Sequence, residues 1–266
     1  MTTILDEILE EKKRRLQTLR DEIPASPAIR HPRPRLAEMF SNENGLAVIA
    51  EVKRASPSKG LINGGVNPAE QAAAYERAGA ACISVLTEEA FFKGSYEDLA
   101  AVAETVRIPV LCKDFVIDEL QIDRALQAGA SVILLIAAAL TDGRLEELYR
   151  YAAQAGLDVL VEVHNAEEMD RALQLGAPFI GINNRDLKTF GVNLGRTEEL
   201  AAQAGNRPGG YLISESGISV PEQAARAAKA GADGILVGEA LMKSGDPEEA
   251  IRALKRAGKT AEEVQR

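Results

Sequence analysis

The sequence predicts an α/β protein, a single (β/α)8 TIM barrel with an N-terminal helical extension. Three observations predict it: a phrase that recurs five times, the spacing of its copies, and the lack of the phosphate turns that a competing open sheet would carry. The phrase reads Arg77-Ala-Gly-Ala before ACISVLTE, Gln127-Ala-Gly-Ala before SVILLIAA, Gln154-Ala-Gly-Leu before DVLVEVH, Gln174-Leu-Gly-Ala before PFIGINN and Lys229-Ala-Gly-Ala before DGILVGE. In each copy an Ala-rich helical pattern ends on a Gly, which suits a helix C-terminus because the left-handed conformation there has no steric cost for Gly. A run of β-branched and aliphatic residues follows, the composition of a strand buried on both faces.

The five glycines stand at 79, 129, 156, 176 and 231, so the gaps are 50, 27, 20 and 55 residues. Two gaps match one strand–helix unit and two match a pair, so each long gap must hold one more strand. Ile108-Pro-Val-Leu-Cys-Lys113 supplies one and Gly210-Tyr-Leu-Ile-Ser214 the other. Leu46-Ala-Val-Ile-Ala-Glu-Val-Lys53 precedes them all and brings the count to eight, the number that closes a barrel. A doubly wound sheet would want GxGxxG or GxxxxGKS/T after its first strand, and neither occurs. The domain reading is one barrel over residues 1–266, with 1–45 as an extension packed on it. That extension holds an amphipathic helix, about Ile4 to Arg20, and a Pro-rich connector, Ile23 to Leu36, and is too short to own a core.

Composition narrows the function. Aromatics are only 4% and Trp is absent, so the core is built from Ala, Val, Ile and Leu. A net charge of −9 argues against general nucleic-acid binding, which needs many phosphate contacts, yet leaves room for a locally positive site that takes a small anion. Cys82 and Cys112 cannot make a disulfide framework, and no CxxC pair signals zinc. A reduced, cytoplasmic setting is expected. The N-terminus is too charged for a signal peptide, and the longest apolar stretch, Ser131 to Leu140, is about half the length of a membrane span. The expected protein is a soluble monomer acting on a small molecule, with no membrane or nucleic-acid partner.

Barrel chemistry sits at the C-terminal ends of the strands, whose side chains alternate in and out. Glu51 and Lys53 share the inward face of Ala47 and Ile49; Lys113 shares that of Leu111; Glu162 that of Leu160; Asn183 that of Gly181. The seventh strand ends in Ser214-Glu215-Ser216-Gly217. These ends deliver two lysines, two or three carboxylates, an Asn and a Ser into one mouth, where packed charges push pKa values apart. Lys113 lies outside the packed layers, so its replacement by Ala should leave folding nearly intact. The loops after strands seven and eight, Glu215 to Ile218 and Val237 to Ala240, each hold a Gly and run into a helix, the features of a phosphate site. Ser56-Pro-Ser-Lys-Gly60 adds hydroxyls and a lysine. A bulky residue at Gly238 should weaken phosphate binding and spare the chemistry at Lys113. His164 reads as a surface group or a support behind the site, His31 as solvated, Cys112 as a buried structural thiol, and the run Glu10 to Arg15 as the wet face of the leading helix. No metal motif is present.

Several phrases make the chain resemble a known family, indole-3-glycerol phosphate synthase, the tryptophan-pathway decarboxylating cyclase. They are IAEVKRASPSKGL from Ile49, SVLTE from Ser84, FFKGS from Phe91, KDF from Lys113, LLI from Leu134, VEVH from Val161, GINNRDL from Gly181, ESGI from Glu215 and VGEALM from Val237. The resemblance runs from the leading helix to about Met242. It implies closure of an indole ring on 1-(2-carboxyphenylamino)-1-deoxyribulose 5-phosphate, with loss of CO2 and water and with no cofactor or metal. It also implies roles. Lys113 is the general acid on the ketone oxygen, and Glu162 the acid/base of the later dehydration. Glu51 and Asn183 orient the substrate and the lysines, while Lys53 and Arg185 hold the carboxylate. Glu215 and Ser216 touch the ribulose hydroxyls. Phosphate sits on Ser56, Gly217, Gly238 and the backbone of Glu239, and Phe92, Phe115 and Leu134 sandwich the anthranilate ring. The chain departs from the family's usual pattern at Cys112, where Arg is commoner, at Asn63 to Asn67, which lacks an acidic residue, and at Asn193, where Asp is usual. Two alternatives stay open: a phosphoribosylanthranilate isomerase-like enzyme, which the set of Glu51, Lys53 and Lys113 does not suit, and a non-catalytic phosphometabolite-binding barrel.

Overall fold

Eight short, largely aliphatic segments pair in parallel: β1 Ala47–Val52, β2 Cys82–Leu86, β3 Val110–Lys113, β4 Val132–Ile136, β5 Asp158–Val163, β6 Phe179–Asn183, β7 Tyr211–Glu215 and β8 Gly234–Val237. The computed structural model describes residues 3–22, 32–56, 60–61, 65–186 and 189–258, without the side chains of 20–22, 56 and 61. The connector through His31, and Lys59, therefore lie outside the described residues. Each strand bonds to its sequence neighbours and β1 also bonds to β8, with Ala47 opposite Gly234 and Ile49 opposite Cys82. The sheet is a closed barrel, as the glycine spacing predicts. All five glycines of the recurring phrase take φ between +70° and +101°, the left-handed stop that ends each helix before its next strand.

Side-chain alternation sorts the strands into two layers. Ala47, Ile49, Leu111, Leu134, Leu160, Phe179, Ile213 and Leu236 fill the barrel interior. Val48, Ala50, Ile83, Cys112, Val159, Val161, Ile180 and Val237 face the surrounding helices. The inward parity read for Glu51, Lys113, Glu162 and Asn183 therefore holds. Cys112 is buried on the outer side, 3.3 Å from the Thr87 hydroxyl.

Around the barrel run α3 Pro68–Arg77, α4 Tyr96–Thr105, α5 Glu119–Gln127, α6 Asp142–Gln154, α7 Ala166–Gln174, α8 Gly195–Ala204, α9 Pro221–Lys229, α10 Glu239–Lys243 and α11 Pro247–Ala257. Polar caps start many of them: Asn67, Ser95, Asp118, Thr141, Asn165 and Asp246 each accept a backbone N–H of the first turn. Two helices precede the barrel, α1 Ile4–Glu22 and α2 Leu36–Ser41. The second was not legible in the sequence. It is a six-residue plug whose Leu36 and Phe40 enter the barrel floor, where Phe40 meets Phe179 and Tyr211 edge-on at ring separations of 5.8 and 5.2 Å. Gly234 makes room for it, since a Cβ there would sit 2.8 Å from the Phe40 ring. Among the described residues no helix is long and apolar enough to cross a membrane.

Candidate active site

A cavity of about 660 Å³ opens at the C-terminal ends of the strands. Fourteen of the fifteen candidate residues line it; the fifteenth, Ser56, has a side chain outside the described residues. At its centre stands Lys113, the last residue of β3. Its Nζ donates to Glu162 Oε2 at 2.9 Å and to Glu215 Oε2 at 2.6 Å. Asn183 Nδ2 donates to Glu162 Oε1 at 3.1 Å, and Asn183 Oδ1 accepts the Arg185 backbone N–H at 3.0 Å. Glu51 pairs with Lys53. The Arg185 guanidinium donates to the Phe190 carbonyl at 3.1 Å, which holds it at the rim. Phe92 and Phe115 face one another at 5.9 Å and 37°, making an apolar wall beside Leu134.

The charges at the centre are unequal. Burial alone would lower the Lys113 pKa, but the charges of Glu162 and Glu215 outweigh it and raise it, so the ammonium is retained. Glu162 is buried, which favours the neutral acid, yet Lys113 and His164 hold its carboxyl well below the usual range. Burial pushes Glu215 up to about 7, with Lys113 opposing and Glu162 reinforcing the rise. The pair is therefore divided, with the negative charge favoured on Glu162 and the proton favoured on Glu215. That division of roles is what acid/base chemistry requires. Gly181 makes the packing possible, because a Cβ there would run into the Glu215 carboxylate.

Ser216 and Gly217 take consecutive positive φ values, 66° and 83°. For Ser216 this costs about 1 kcal/mol or more. Buried Asn184 holds the turn: its Nδ2 donates to the carbonyls of Glu215 at 3.0 Å and Ser216 at 3.2 Å, and its Oδ1 accepts from Thr197. Gly217 packs so closely on Val192 that a side chain would collide.

The two loops differ as anion sites. Gly238 is the N-cap residue of α10, with no side chain over that helix end. After Gly217 the helix starts only at Pro221, which has no N–H, and Gln223 Oε1 already accepts the N–H groups of Ser219 and Val220. The N–H groups just ahead of α9 are thus engaged within the chain, whereas Gly238 leads straight into α10. The expected sparing of Lys113 by a Gly238 variant changes. A Cβ at 238 would run into the Glu51 carboxylate and lie 3.2 Å from its Cβ. Gly238→Val is expected to displace Glu51 from Lys53 and lower kcat/KM by about 10²-fold, the scale of a 1 Å misplacement. Steady-state kinetics check it, and an unchanged kcat would return Gly238 to phosphate binding alone.

The leading helix belongs to the site, which the sequence reading missed. Ile4, Leu5 and Ile8 of α1 line the cavity. One turn further, Lys12 pairs with Asp114 Oδ1 at 2.6 Å, with side-chain exposures of 11% and 0%. Lys12 is thus not on the wet face, although Glu10, Lys13 and Arg14 are exposed. Asp114 follows Lys113 directly and also accepts Thr87 Oγ1, the Tyr96 hydroxyl and the Phe115 N–H. Lys12→Met leaves those neutral donors in place, so the expected cost is about 1–3 kcal/mol. Urea unfolding measures it, and no loss would place Lys12 outside the support of the site. His164 is buried, so its surface reading falls and its supporting one stands. Asn193 caps the Gly195 N–H at 3.0 Å.

The family model for indole-3-glycerol phosphate synthase matches residues 5–254. The chain belongs to the indole-3-glycerol phosphate synthase family. Curated relatives with that description include one from Bacillus cereus, 51% identical over 92% of this chain and 94% of its own. Another, from Exiguobacterium sibiricum, is 50% identical over 94% and 96%. A solved 3-hexulose-6-phosphate synthase, 21% identical, superposes with a TM-score of 0.63 over 80% of this chain and 99% of that one, a likeness of fold alone. Family membership decides against the isomerase-like alternative.

Proposed function

We propose that the protein closes the indole ring of 1-(2-carboxyphenylamino)-1-deoxyribulose 5-phosphate, giving indole-3-glycerol phosphate, CO2 and water. It is then a carboxy-lyase of tryptophan biosynthesis working on a small phosphorylated substrate. The observation that carries this reading is the ammonium of Lys113 held between Glu162 and Glu215 in the cavity of a family member. Lys113 protonates the ketone oxygen as the ring carbon attacks, and CO2 leaves from that carbon. In the later dehydration Glu162, as the carboxylate, takes the remaining ring proton, while the hydroxyl leaves as water with the exchangeable proton that Glu215 holds in the same cluster. Glu51 and Asn183 hold these groups in register. Lys53 and Arg185 bind the carboxylate, with Phe92, Phe115 and Leu134 against the aromatic ring; this apolar wall keeps water from the departing carboxylate. Ser216 and Glu215 meet the sugar hydroxyls, and Ser56, Gly217, Gly238 and the Glu239 backbone take the phosphate.

Every group named comes from one chain, so a monomer suffices. Both thiols are free and buried, which suits a reducing cytoplasm. The test is incubation of the purified protein with the substrate. Indole absorbance and CO2 should rise together in a one-to-one ratio. Substrate binding without either product would make this a phosphometabolite-binding barrel.

A further inference from the structure

One ionisable side chain touches the central cluster from behind and is used by no step above. His164 follows β5 and is 9% exposed. Its Nδ1 lies 3.0 Å from Glu168 Oε2, an oxygen that also accepts the His164 backbone N–H at 2.8 Å. Glu168 is fixed in turn. Its Oε1 accepts Asn165 Nδ2 at 2.6 Å, while Asn165 Oδ1 caps the Glu168 N–H at 2.9 Å. On the other side of the ring, Nε2 lies 3.3 Å from Glu162 Oε1. Five ionisable groups thus run in file from the start of α7 into the cavity: Glu168, His164, Glu162, Lys113 and Glu215.

The file settles what Lys113 leaves open. Lys113 touches both glutamates at bonding distance, with its shorter contact to Glu215, so Lys113 does not by itself put the ionised form on Glu162. The far oxygens decide it. Glu162 Oε1 accepts from Asn183 and has His164 Nε2 at ion-pair distance, without a hydrogen bond between them, whereas Glu215 Oε1 accepts no hydrogen bond from any described residue and has no second cation among those residues beside it. A cation on one side only stabilises the negative charge on that side. We propose that His164, oriented by Glu168, is a positioning residue that keeps Glu162 ionised and so leaves the exchangeable proton of the cluster on Glu215. Burial disfavours the imidazolium, but Glu162 and Glu168 overcome this and raise its pKa to about 9, so the ring is charged at neutral pH. The proposal rests on the reading of Glu162 as the acid/base group.

A double-mutant cycle in kcat tests it. His164→Gln keeps a hydrogen-bonding side chain and removes the charge. It should lower kcat about 10–100-fold, the scale for partners that orient a working group from behind, with KM within about twofold. In the Glu162→Gln background the same change should cost less than about twofold, because the charge has nothing left to act on. A merely structural His164 would give equal losses in both backgrounds, and that result overturns the proposal. So does full activity in a folded His164→Gln protein while Glu162→Gln is inactive. Full activity of Glu162→Gln itself overturns the underlying reading along with this one. If His164→Gln does not fold, Glu168→Gln carries the same cycle, since it removes the charge that orients the ring.

Discussion

Lys113→Ala is expected to lower turnover by about 10²–10⁴-fold, the usual contribution of a general acid. The loss should fall on kcat, because the ketone oxygen needs its proton as the ring closes. Its effect on stability differs from the sequence expectation of a nearly intact fold. Removing Lys113 leaves Glu162 and Glu215, 3% and 1% exposed, side by side without their shared cation. Breaking a buried ion pair costs about 3–5 kcal/mol when the orphaned charge stays charged. Here Glu215, already pushed up to about 7, relieves the clash by taking a proton. Protonation becomes easier as pH falls, so the variant should lose more stability at pH 8 than at pH 6. Urea unfolding at the two pH values checks the sign. A variant that keeps more than half of the activity would remove Lys113 from the chemistry.

Glu162→Gln should produce the second large effect, about 10²–10³ in kcat with little change in KM. The amide still fills the space between Asn183 and Lys113, so substrate binding is preserved while proton transfer is not. A loss confined to KM would assign Glu162 to binding. Full activity would return it to an ordinary buried charge.

The barrel and most of its mouth were legible in the sequence because both follow from short-range rules. A Gly after an Ala-rich run marks where a helix stops, and residues two apart on a strand share a face. Those two rules placed Glu51, Lys113, Glu162 and Asn183 on the inward side. What they do not carry is contact between distant segments. The bond from Lys113 to Glu215 joins β3 to β7, and nothing in either stretch names the other. Asn184 is hidden in the same way, since its partners Thr197 and Ser214 come from α8 and β7. Lys12 did leave a signal: it lies four residues after Ile8 and eight after Ile4, on the row that α1 turns toward the cavity. A charge on that row needs a buried partner. His164 left a weaker one, a Glu four residues on. It becomes informative only once Asn165 is seen to start a helix that turns Glu168 back on the ring.

The central claim is that an amine at position 113 does the work, and restoring that amine chemically tests it most directly. Lys113→Cys places a thiol at the cavity, where 2-bromoethylamine converts it to an aminoethyl side chain that mimics lysine. The protein's own thiols, Cys82 and Cys112, are buried, and burial pushes Cys112 up to about 12, so the reagent finds position 113 first. The account predicts that Lys113→Cys is inactive and that turnover returns as aminoethylation of residue 113 proceeds, followed by mass. Complete modification of a folded protein with no return of indole formation would contradict it, as would full activity before any reagent is added.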